Sequence, residues 1–79
     1  MSADDYARRR KAAAAYHRYD TQLLAARRAL RGHEGRVVHY TERNEPGKAD
    51  YWRKLAAIEA AKVERFERLA AKWKAEVLS

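Results

Sequence analysis

The sequence predicts an all-α protein, two long antiparallel helices forming a helical hairpin joined by a long loop. Three observations point there. Apolar residues recur at alternating steps of four and three in both halves of the chain. Charged residues make up 37% of the chain, with alanine abundant, as in long solvated helices. The three glycines and the single proline all fall in the middle, at Gly32, Gly35, Pro46 and Gly47.

The first helix is predicted over about 3–31. Ser2 can cap its start, with Asp5 three residues on and Asp4 also near the positive helix end. Asp4 with Arg8, and Asp5 with Arg9, have the favourable acid-before-base spacing. Gly32 is the first residue suited to the position just past a helix end. Within this helix the stretch "RRRKAAAAYHRYD" interleaves cations with aromatics, as a nucleic-acid grip would. A seven-residue repeat resolves it differently. Ala12, Tyr16, Tyr19, Leu23, Ala26 and Leu30 share one stripe, while Arg10, Lys11, Arg18, Arg28 and Arg31 lie on the other side. Both tyrosines are therefore read as core.

Residues 32–48, "GHEGRVVHYTERNEPGK", are read as the connection. Turn residues mark both ends, and the β-branched and aromatic centre favours extended backbone. The second helix starts between Asn44 and Asp50 and runs over about 49–78. Its stripe is Trp52, Leu55, Ala56, Val63, Phe66, Leu69, Ala70, Trp73 and Val77, interrupted by Glu59. Matching small residues with small ones predicts a register. Ala12 meets Ala70, Tyr16 meets Phe66, Tyr19 meets Val63 and Ala26 meets Ala56. Leu30 lies against Trp52, Leu23 near Glu59 and Arg9 over Trp73.

A lone hairpin buries one face of each helix, a small return against the entropy of ordering so short a chain. Leu24, Tyr51, Leu55, Ile58 and Leu69 widen the apolar zone beyond a single seam. They are the expected contacts of a homodimer, most simply a four-helix bundle.

Chemistry is sparse. Without cysteine there are no disulfides and no thiolate metal frameworks. His33, Glu34 and His39 match no standard ligand spacing, and His17 falls on the polar side of its helix. Neither "EGR" nor "EPGK" has the context of a phosphate loop. Both serines are terminal, and Glu59 and Glu64 are placed to pair with Lys62 and Arg68. The reading is non-enzymatic, with no cofactor, no small-molecule substrate, no membrane span and no signal peptide, hence cytoplasmic.

Two binding readings remain. In the first, the chain is a protein-interaction module whose loop (Arg36, Val37, Val38, His39, Tyr40, Arg43) and a helix face contact a protein partner. In the alternative, Arg10, Lys11, Arg18, Arg28 and Arg31 contact nucleic-acid phosphates. The net charge of +7 favours polyanions, and it is concentrated in residues 1–36, with nine cations against four anions. No helix-turn-helix or RNA-binding signature accompanies it.

Overall fold

The computed structural model describes residues 2–79. They form two helices, α1 (Ala3–Glu42) and α2 (Pro46–Leu78), packed antiparallel into a rod 63 Å long and 13 Å across. At 1.5 Å per residue, the 40 residues of α1 account for nearly the whole length.

The start of α1 is as the sequence predicts. The Ser2 hydroxyl accepts the Asp5 amide at 3.1 Å, and Asp4 and Asp5 occupy the first turn. Its end is not. The expected long connection over 32–48 is absent, because α1 continues through Gly32 and Gly35 to Glu42. The stripe explains why. His33, Val37 and Tyr40 extend the four-three spacing beyond Leu30, and all three are half-buried in the seam. Packing of this face outweighs the β-preference of "RVVHYT" and the cost of two glycines.

The helix stops one turn before Gly47, through its backbone. Asn44 adopts φ 58°, the left-handed conformation that asparagine tolerates better than most residues. Its N–H donates to the Thr41 carbonyl at 3.1 Å, and the Glu45 N–H donates to the Tyr40 carbonyl at 2.9 Å. That pair of bonds is a Schellman motif, which satisfies the last carbonyls of α1. Pro46 follows at the first position of α2, where a missing N–H costs nothing. Asn44 thus ends the first helix; it does not cap the second. The connection consists of Arg43, Asn44 and Glu45 alone.

A turn this tight dictates the register, and the register departs from the expected one by about a helical turn. Phe66 stacks on Tyr19, not Tyr16, with ring centroids 6.3 Å apart. Trp52 meets the imidazole of His33, with ring centroids 5.3 Å apart, and the guanidinium of Arg36 at 4.4 Å, where Leu30 was expected. Arg9 donates to the Ser79 carbonyl at 2.9 Å, past Trp73. The core centres on Leu23, Ala26 and Phe66, with Tyr19, Val63 and Leu69 packed around them. Ala12, Ala15, Ala49 and Ala70 are the other buried apolar residues, small side chains that let the helices approach closely. Both Tyr16 and Tyr19 are half-buried, on the inward side as the stripe predicts.

Neither glycine inside α1 is required by space. A Cβ on Gly32 would lie 3.9 Å from the Arg36 side chain, and one on Gly35 would meet nothing within 4 Å. Neither has positive φ. Each should therefore carry only the helix penalty of glycine, about 1 kcal/mol relative to alanine. Gly32→Ala and Gly35→Ala are each expected to stabilise the protein by about that much, additively, in chemical denaturation. Destabilisation by both would mean that this stretch is not helical.

Candidate interaction surfaces

Wrapping the four-three repeat around each helix leaves two flanks along the seam, and they differ. One carries Asp20, Arg27 and Glu34 of α1 and Arg53, Glu67 and Lys74 of α2. It is bridged midway by Arg27 and Glu67, whose Nη2 and Oε1 are 2.9 Å apart. Both partners are about half exposed, so the pair contributes at most about 1 kcal/mol, but it marks the flank as polar.

The other flank is apolar and open. A shallow groove runs along it, lined by Gln22, Ala25, Ala26 and Ala29 of α1 and Glu59, Lys62 and Phe66 of α2. Its floor is low because three alanines stand where larger residues could fill the seam. Glu59 occupies an inward position of the α2 stripe, its carboxylate held by Lys62 Nζ at 3.3 Å. Beside the groove stand Ile58 and, two turns toward the hairpin end, Tyr51, which are 55% and 58% exposed.

The predicted dimer residues are only partly brought together. Tyr51, Leu55, Ile58 and Leu69 share the open flank of α2. Leu55 is half-buried, and Leu69 packs on the core. Leu24 does not join them. It is exposed among Arg27, Arg28 and Arg31, around the other side of α1. Arg36, Val37, Val38, His39 and Tyr40 do not form a loop surface either, since they make up the last turns of α1. Val37 and Tyr40 face the seam, and the Arg36 guanidinium covers Trp52. Val38 and His39 are exposed, and Arg43 lies in the turn, where it bonds Glu45. The Lys48 ammonium hydrogen-bonds the same carboxylate at 3.2 Å, and with Arg43 it holds the Glu45 carboxyl below its ordinary value.

All five cations expected to contact polyanions are exposed on the outside of α1, and none has an acidic partner within 4 Å among the described residues. Of the pairings expected from spacing, Glu59–Lys62 forms, whereas Arg8 reaches Asp5 at 3.9 Å in place of Asp4. The Nδ1 atom of His33 is shielded in the seam with no hydrogen-bond partner. No group of three or more histidine, aspartate or glutamate side chains is placed to hold a metal among the described residues. No helix among them is long and apolar enough to cross a membrane. Compared with protein-family models, curated proteins and solved structures, the chain finds no match.

Proposed function

We propose that the protein is a non-enzymatic helical interaction module whose open flank docks a second copy of the same chain. The observation that supports this reading is the inequality of the two flanks. One is polar and crossed by an ion pair; the other exposes Ile58 and Tyr51 beside an alanine-floored groove. A projecting apolar side chain next to a depression is self-complementary. A two-fold axis between the two would seat Ile58 of each copy against the alanines of the other. Lys62 and Glu59 line the same groove with opposite charges, so the same axis can bring each lysine to the other copy's carboxylate. Four helices would then share one core, burying the zone that a lone hairpin leaves wet.

The test is the mass in solution, across a concentration series. A dimer is expected at micromolar concentration, and Ile58→Glu should convert it to monomer by placing a charge at the centre of the contact, with helix content retained. Wild-type protein that remains monomeric at high micromolar concentration overturns the reading. So does a dimer indifferent to Ile58→Glu.

A further inference from the structure

We propose that the outer face of α1 is a binding surface for duplex DNA, engaged through its phosphates and independent of the apolar flank. Three observations on that face argue for it.

The first is charge. Between Tyr6 and His33 the chain contains a single acid, Asp20, and that residue is half-buried at the edge of the seam. The outer face over this span is therefore purely cationic. The cations drawn into internal contacts are different ones: Arg27 bridges to Glu67, and Arg9 binds the Ser79 carbonyl. Arg10, Lys11, Arg18, Arg28 and Arg31 make no ion pair, so no internal bond is lost when they meet an external anion. The outer surface of α2 is not comparable, because Asp50 and Glu64 lie among its cations.

The second is shape. Along the outermost line of α1 the residues between and beyond the cations are small (Ala7, Ala14, Thr21 and Gly35), and on the outer face from Arg10 to Arg31 only His17 and Leu24 are larger uncharged side chains. A slim helix ridge studded with long cations fits the major groove of B-form DNA, about 12 Å wide, with the arginines reaching the phosphates on its rims. The major groove of duplex RNA is too narrow for it. Packing against α2 keeps the helix straight, so the cations from Arg10 to Arg31 form a fixed array spanning roughly 32 Å.

The third separates double from single strands. Gripping an unpaired strand relies on aromatic platforms for the bases. Tyr16 and Tyr19, the aromatics of this stretch, are turned into the seam, and Tyr19 is stacked on Phe66. The outer face over Arg10–Arg31 has no other ring than the imidazole of His17.

The experiment titrates a labelled mixed-sequence DNA duplex with the full chain across a salt series. Five phosphate contacts predict a log–log salt slope of about −4.5, so affinity should fall roughly 500-fold between 50 and 200 mM salt. One variant replaces Arg10, Lys11, Arg18, Arg28 and Arg31 with glutamine. A second replaces five exposed cations of α2 (Lys54, Arg65, Arg68, Lys72 and Lys74) with glutamine, removing the same charge elsewhere. With helicity checked by circular dichroism, the first variant should lose binding and the second should weaken it far less. Absence of binding at 50 mM salt overturns the proposal. Equal loss in the two variants overturns the assignment to α1. Equal or tighter binding to single-stranded DNA, to duplex RNA or to polyglutamate of matched charge shows that duplex DNA is not what the face fits, and overturns it too.

Discussion

Phe66→Ala is expected to remove a large share of the hairpin's stability. Phe66 is the largest buried side chain among the described residues, stacked on Tyr19 and packed with Leu23 and Ala26. Truncating a buried phenylalanine costs about 3–5 kcal/mol, the lost transfer energy plus the cavity left behind. A domain of this size has about 4–12 kcal/mol in total, so about a quarter of its stability would go at the upper end of that range and all of it at the lower end. Two helices offer no further layer to close over the gap. In a thermal melt the midpoint should drop by more than about 12 °C, at about 4–8 °C per kcal/mol. Leu78→Ala, at a side chain that is 75% exposed, should leave it nearly unchanged. Similar small shifts in both variants would mean that Phe66 is not at the centre of the seam.

Val38→Pro carries the second large effect. Val38 lies one turn inside the C-terminal end of α1, on its solvent side, so its side chain contributes little packing. Proline there removes the amide that bonds the Glu34 carbonyl and drives its ring into the preceding turn. The expected loss is about 3 kcal/mol or more. Val38→Ala, which keeps the amide, should be close to neutral or slightly stabilising. In an extended connection over 32–48, proline at this position would be tolerated. Equal stability of the two variants would therefore return this stretch to a loop.

The first thirty residues were legible because every local signal there agrees. The Ser2 cap, the acids of the first turn and the stripe from Ala12 to Leu30 all specify one helix, and Tyr16 and Tyr19 turn inward as that stripe requires. Beyond Leu30 the signals conflict. Gly32, Gly35 and the β-branched pair at 37–38 argue locally for a break, while His33, Val37 and Tyr40 continue the repeat. The packing period prevailed, since an unbroken seam gains from every further turn, whereas each glycine costs only about 1 kcal/mol. Asn44 was ambiguous on its own, because asparagine serves equally well before a helix and in the left-handed position after one. Only the Schellman bonds to Thr41 and Tyr40 decide between them.

The register depends on that same turn. A long connection leaves the helices free to slide, so that only the matching of alanine to alanine guides the register. With Arg43, Asn44 and Glu45 as the whole turn, the slide is fixed and Tyr19 is carried to Phe66. The surfaces show the same division. Which cations of α1 face outward is a matter of periodicity and could be read from spacing. That Leu24 falls apart from Tyr51 and Ile58 depends on how the two helices are juxtaposed, which spacing within one helix does not encode.

A single uninterrupted helix reaches the turn and thereby aligns the two halves. Nuclear Overhauser contacts between aromatic rings test it most directly, because the two alignments pair different rings. Cross-peaks from His33 to Trp52 and from Tyr19 to Phe66 are the predicted result. Cross-peaks from Tyr16 to Phe66, with the ring of His33 remote from Trp52, would contradict it.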